Sequence, residues 1–188
     1  MEQLPHGGGA DRVRVMGDLR LRPVTNDDVA YLVEKQTPEV TGPFNWFGFR
    51  SEAEVLRRFE EDGFLGERYG KLIVEIEGTD GPVPIGDVSW HAVDHGPPPA
   101  SRAWNIGITL SPEWRGQGFG TRAQRLLADY LFDTTLVERI EASTDVENTA
   151  ERRALEKAGF TFEGVLRRAQ FRGGAWRDMA LYSLVRGE

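Results

Sequence analysis

The sequence predicts an α+β fold, a mixed and largely antiparallel sheet of about seven strands flanked by about four helices. Three observations carry this. Segments with two-residue alternation of apolar and polar side chains recur along the chain. Two pairs of them flank turn sequences, Thr79-Asp80-Gly81-Pro82 and Arg172-Gly173-Gly174. Helical spacing appears in a pair of segments after the first strand, then once before and once after the fifth.

Residues 1–17 hold Gly7-Gly8-Gly9 and no periodic pattern, and read as a flexible head; 18–188 read as one domain. Leu19-Arg20-Leu21-Arg22 alternates as a half-buried strand. Thr25 with Asp28 three residues on marks a helix start, with Val29, Leu32 and Val33 as its stripe, ending before Pro38. Four aromatics crowd Pro43 to Phe49. They read either as a loop folded onto the core or as a cleft wall in which Phe44, Trp46 and Phe47 meet a substrate. Ser51 and Glu54 repeat the capping pattern before Val55, Leu56 and Phe59.

Lys71–Glu77 and Val83–Val93 form the first hairpin, and Gly96-Pro97-Pro98-Pro99 interrupts regular structure. Trp104–Leu110 is a fourth strand with Trp104, Ile106, Ile108 and Leu110 on one face and Asn105, Gly107 and Thr109 on the other. A helix follows with Phe119, Ala123, Leu126, Leu127 and Tyr130 as its stripe. Arg139–Thr144 is a fifth strand, Thr149–Ala158 a helix closed by Gly159, and two strands complete the chain.

Composition excludes several functions. With 39% hydrophobic and 28% charged residues the composition suggests neither global disorder nor a membrane protein, and no apolar run nears the length of a spanning helix. The N-terminus lacks a signal-peptide centre, so a cytoplasmic protein is expected. The absence of cysteine removes disulfides and thiol chemistry, and His6, His91 and His95 are too scattered for a zinc site, so no metal is expected. A net charge of −7 argues against nucleic acid as a partner; it is compatible with a cationic substrate, although acidic surfaces mostly serve solubility.

Trp114-Arg-Gly-Gln-Gly-Phe-Gly-Thr121 stands between the fourth strand and the next helix. A helix start of this kind presents free amides at the positive end of its dipole, and glycines at 116, 118 and 120 let an anion approach. The loop lacks the lysine of a nucleoside-triphosphate P-loop, and its glycines alternate instead of following G-x-G-x-x-G. Spacing alone leaves both a phosphate cradle and a ligand-free tight turn open.

The form R-x-x-G-x-G at Arg115–Gly120, after a strand and before a helix, resembles the acetyl-CoA pyrophosphate loop of the GNAT superfamily of N-acetyltransferases. Leu19–Thr25, Ser111-Pro112-Glu113, Glu147–Ala150 and Glu156–Phe160 look like its RimJ/RimL branch, so that the likeness spans about 19 to 186. It implies acetyl transfer from acetyl-CoA, as cosubstrate, to a primary amine of a small molecule or a protein N-terminus, by direct attack in a ternary complex. It also implies that strands four and five splay. Backbone groups of Ile108, Thr109 and Leu110 then pair with the pantetheine, with the Ile108 amide at the thioester oxygen. Arg115, Gly116, Gln117, Gly118, Phe119, Gly120 and Thr121 hold the pyrophosphate, and Asn148 the pantetheine, unless it is only a helix N-cap. A homodimer is expected from the resemblance alone; no membrane partner is.

Two departures bear on catalysis. Family members often carry glutamate where this chain has Asn105, which cannot be a base but can orient water or the acceptor. Many carry serine where it has Glu151, either an exposed first-turn glutamate or a replacement carboxylate. His91 titrates in the useful range, although a strand histidine is more often structural. Asp87, Asp145 and Tyr182 are further titratable groups. These departures motivate a rival reading, an acyl-CoA-binding sensor or regulatory module without turnover.

Overall fold

The computed structural model describes residues 19–188; the expected head over 1–17, with His6, lies outside the described residues. The chain runs β1 (Arg20–Pro23), α1 (Asp28–Glu34), α2 (Pro38–Thr41), α3 (Glu52–Asp62), β2 (Tyr69–Gly78), β3 (Gly81–Asp94), β4 (Arg102–Leu110), α4 (Phe119–Thr134), β5 (Arg139–Asp145), α5 (Thr149–Lys157), β6 (Thr161–Arg172) and β7 (Ala175–Val185). One sheet holds all seven strands in the order β1-β2-β3-β4-β5-β7-β6. Every neighbouring pair is antiparallel except β4 and β5.

Alternation along the strands divides the core between the two faces. Leu72, Val74, Val88, Trp90, Trp104 and Ile106 pack on one face against Phe119, Ala123, Leu127 and Leu131 of α4 and Leu155 of α5. On the other, Ile73 meets Val29 and Leu32 of α1 and Val55 of α3. The buried stripe of α4 runs through 119, 123, 127 and 131, while Leu126 and Tyr130, assigned to it from spacing, are each 37% exposed. Tyr130 instead closes the edge against the Trp90 ring, centroids 5.9 Å apart.

Among the described residues there are five α-helices where about four were expected. The additional one, α2, is a single turn that periodicity cannot register, started by Pro38 after Thr37, whose hydroxyl accepts from the Val40 amide at 3.4 Å. The capping patterns differ in detail from expectation. Asp27 precedes α1, and Asp28 turns back to accept from the Thr25 amide (2.8 Å) and hydroxyl (2.7 Å). Ser51 occupies the N-cap of α3 without a side-chain bond. Asp28 also accepts two bonds from Arg22, at 2.6 and 2.9 Å, and Arg22 bonds Glu75 at 2.6 Å, so one guanidinium joins β1, β2 and α1.

The far end of β5 is held by a buried ion pair between Asp145 and Arg172, whose side chains are 2% and 5% exposed. Asp145 also accepts from the Glu147 amide at 2.9 Å, which shapes the turn into α5. Removing one partner of such a pair strands a buried charge. Arg172→Leu is therefore expected to lower the unfolding free energy by about 3–5 kcal/mol, read from denaturant melts at neutral pH.

Candidate active site

The two parallel strands part in mid-course. Their pairing runs through Trp104–Ile140, Asn105–Glu141 and Ile106–Ala142 and stops there, although β4 continues to Leu110 beside β3. The Ser111 amide donates to the Ile85 carbonyl at 2.9 Å, which sets the phase of the β3 ladder. Residues 105, 107 and 109 therefore bond β3, and Ile108 and Leu110 turn their amides and carbonyls toward the gap. Two of those carbonyls accept from side chains: Ile108 from Asn45 Nδ2 at 3.3 Å and Leu110 from Arg115 Nε at 2.9 Å.

The glycine loop closes one end of the gap. Gly116 and Gly118 have φ of +71° and +84°, a left-handed conformation that strains any side-chain-bearing residue, and an added Cβ at either meets only open space. Gly118 is the N-cap of α4 and supplies no side-chain bond, so the first amides of a sixteen-residue helix face outward. Phe119 is buried against Trp114, and Gln117 Nε2 donates to the Glu113 carbonyl at 2.8 Å. Arg115 also bonds the Val40 carbonyl, so its guanidinium ties α2 and the loop to β4 instead of standing free.

Across the gap, Asn148 caps α5. Its Oδ1 accepts from the Glu151 amide at 3.3 Å and its Nδ2 donates to Thr144 Oγ1 at 3.1 Å. Glu151 is half-buried, contrary to the exposed reading, because the first turn of α5 faces Gln124 of α4, itself 2% exposed. Burial pushes the Glu151 carboxyl up to about 7, and Gln124 acts in the opposite sense.

A cavity of about 520 Å³ spans this gap, lined by Ile108, Leu110, Gly118, Thr121, Asn148 and Glu151. Its charged walls are otherwise cationic, with Arg115, Arg153 and Lys157. Open helix amides, unpaired strand groups and this charge fit the pyrophosphate and amide arm of acetyl-CoA.

A second cavity, of about 320 Å³, lies on the other side of β4 and shares Thr41, Asn45, Ile108 and Thr109 with the first. Trp46 and Phe47 line it, while Phe44 faces the first cavity, its ring 5.7 Å from the Arg172 guanidinium; Phe49 is 89% exposed and stacks edge-on with Trp46. The aromatic run is thus neither wholly core nor wholly cleft. Lys71 sits in the second cavity, paired with Asp87. Burial, reinforced by Arg50 and Arg58, pushes the Lys71 ammonium down to about 7, whereas the Asp87 carboxylate favours its charged form. Sequence spacing had offered no reason to single out Lys71, Arg50, Arg58 or Asn45, whose meeting depends on tertiary placement.

Asn105 and His91 are register partners across β4 and β3, and neither lines either of these two cavities. Asn105 Nδ2 lies 3.5 Å from Ser143 Oγ, and His91 is exposed at the surface, although partial desolvation of its ring lowers its pKa against the opposing pull of Glu141. Tyr182 is buried on the α5 face, donating to Glu156 at 3.1 Å and accepting from Arg152 at 3.2 Å. Among the described residues no group of three or more His, Asp or Glu side chains is placed to hold a metal ion.

Comparison with known proteins follows the same lines. The model of an acetyltransferase (GNAT) domain matches residues 18–161. The chain is 36% identical over 101 residues, 54% of either protein, to a probable N-acetyltransferase YjcK of Bacillus subtilis. It is 30% identical to the uncharacterized N-acetyltransferase p20 of Bacillus licheniformis, over 90% of this chain and 94% of that one. Identity to the spermidine N(1)-acetyltransferase of Escherichia coli is 27%, over 85% and 82%. Among solved structures, Mycobacterium smegmatis RimJ in complex with CoA-disulfide superposes with a TM-score of 0.71 at 27% identity, over 93% and 85% of the chains.

The raised pKa of Glu151 has a stability consequence. A carboxyl that holds its proton more tightly when folded destabilises the fold increasingly as pH rises from its ordinary 4.5 to about 7, and fully above that. Glu151→Gln is expected to raise the unfolding free energy at pH 8 by on the order of 1–3 kcal/mol, with little change at pH 4, measured by denaturant melts at both values.

Proposed function

The chain belongs to the GNAT acetyltransferase family, and on that premise we propose that it moves an acetyl group from acetyl-CoA to a primary amine seated in the smaller cavity. The observation that carries this reading is the meeting of two cavities over the unpaired stretch of β4. One has the charge and open amides for a nucleotide cosubstrate, and the other has the size for a small acceptor. The acceptor belongs to the class of small-molecule amines or protein N-termini, and the smaller cavity favours the former. The working protein is placed in the cytoplasm, as a domain over 18–188, with a homodimer as its expected assembly; no helix among the described residues is long and apolar enough to cross a membrane.

The α4 amides of Phe119, Gly120 and Thr121, with Gly116, Gln117 and Gly118, cradle the pyrophosphate, and Arg115 fixes that loop against β4 while adding charge. Ile108, Thr109 and Leu110 run beside the pantetheine, and Asn148 meets it from α5. Ile108 is assigned the oxyanion contact because its amide faces the gap beyond the last β4–β5 pair. Phe44 bounds the cosubstrate side, and Trp46 and Phe47 the acceptor side.

Glu151 is assigned the proton transfers. As a carboxylate it removes a proton from the acceptor ammonium, leaving a neutral amine that attacks the thioester carbon. The new N–C bond forms and the C–S bond breaks. The nitrogen loses its second proton to water, and protonated Glu151 returns its proton to the leaving thiolate. Asn105 and His91, side by side on one face of β4 and β3 and outside the lining of both cavities, are left to order water at the sheet surface.

Two measurements test this. Calorimetric titration with acetyl-CoA is expected to show binding by wild type and none by the double variant Arg115→Ala/Gly118→Trp; absence of binding by folded wild type would overturn the reading. In thiol-release assays the wild-type rate is expected to rise with pH through about 7, where Glu151 loses its proton. Glu151→Gln should lower kcat/KM by about a hundredfold and abolish that limb, and an unchanged profile would remove Glu151 from the mechanism.

A further inference from the structure

The smaller cavity has a charge that the family reading does not explain. The Lys, Arg, Asp and Glu side chains of its lining are Lys35, Arg50, Glu54, Arg58, Lys71 and Asp87, four basic against two acidic. Asp87 is already engaged by Lys71. Glu54 lies in the exposed first turn of α3 and forms no ion pair with Arg58 one turn later. Lys35, Arg50 and Arg58 have no carboxylate partner among the described residues. They are nevertheless organised: the Arg58 guanidinium stacks over the Tyr69 ring at 4.1 Å, and the Lys35 ammonium lies 5.4 Å from the Tyr31 ring. Arg50 and Arg58 stand near enough to Lys71 for their charge to help drive off its proton.

Three unpaired cations around a cavity of about 320 Å³, in a protein of net charge −7, are a local excess that solubility does not require. Such an arrangement is complementary to an anion. We propose that the acceptor is a small primary amine that also bears a carboxylate, bound with the carboxylate against Arg50 and Arg58 and the amine directed over Ile108. Planar guanidinium groups match a carboxylate in geometry as well as charge, and the Asp87 carboxylate is held by Lys71 rather than by either arginine. A polyamine meets the opposite situation, because its distal ammonium enters a region of like charge. The proposal deepens the acetyltransferase reading and rests on it.

The test uses three amines with one skeleton: γ-aminobutyrate, its carboxamide, and putrescine, each supplied with acetyl-CoA and followed by thiol release. Wild type is expected to favour γ-aminobutyrate over the carboxamide by about tenfold in kcat/KM, with putrescine slowest. Arg50→Glu/Arg58→Glu, which alters two exposed side chains, is expected to reverse that order while binding acetyl-CoA unchanged by calorimetry. Equal rates, or putrescine fastest with wild type, would overturn the proposal. No release from any of the three by protein that binds acetyl-CoA also overturns it, and leaves the cosubstrate site intact. Failure of wild type to bind acetyl-CoA removes the reading on which it rests.

Discussion

The architecture depends on the end of one ladder. Parallel strands need both neighbours to satisfy their backbone groups, and β4 loses one neighbour after Ile106 while keeping the other through Leu110. Its gap-facing groups must then be met by something other than a strand. In this chain side chains meet some of them, Asn45 at Ile108 and Arg115 at Leu110. The rest of the site is arranged around that requirement. The glycine loop and α4 close one end, the capped start of α5 forms the opposite wall, and Asp145 at the end of β5 is held by Arg172 of β6.

Much of this was legible before any coordinates. Local rules located the strand at 104–110, the glycine loop and the capped asparagine, because each depends on residues close in sequence: alternation, positive φ, and a side chain reaching its own helix amide. Reading failed where distant segments decide. Leu126 and Tyr130 fit helical spacing, yet which 100° of α4 is covered depends on the sheet beneath it, and the stripe passes through 131. Glu151 looked exposed as a first-turn glutamate, and only the approach of Gln124 from α4 buries it. Lys71 occupies the kind of strand position that ordinarily faces solvent.

Charge shows the same division between what sums and what must be placed. The chain as a whole is acidic, which by itself suggests a cationic partner, yet both cavities carry more basic than acidic side chains in their walls. Net charge sets the protein's overall field, which salt screens beyond a Debye length, whereas a ligand in a cleft responds to the few groups within several ångströms. The acidic residues lie elsewhere, many in ion pairs such as Glu75 with Arg20 and Arg22, or Glu163 with Arg139. In the proposed mechanism the carboxylate missing at Asn105 is likewise supplied from another element, by Glu151 on α5.

The wall between the cavities has a thermodynamic consequence. Thr41, Asn45, Ile108 and Thr109 belong to both, and Asn45 is bonded to the very carbonyl that borders the cosubstrate groove. A molecule that displaces Asn45 from one side reshapes the space offered on the other. Two binding events that each displaced Asn45 would share a free-energy term, and linkage would make that term the same whichever arrived first. Two adjacent pockets with separate walls would lack it; here a single amide side chain stands in the wall of both.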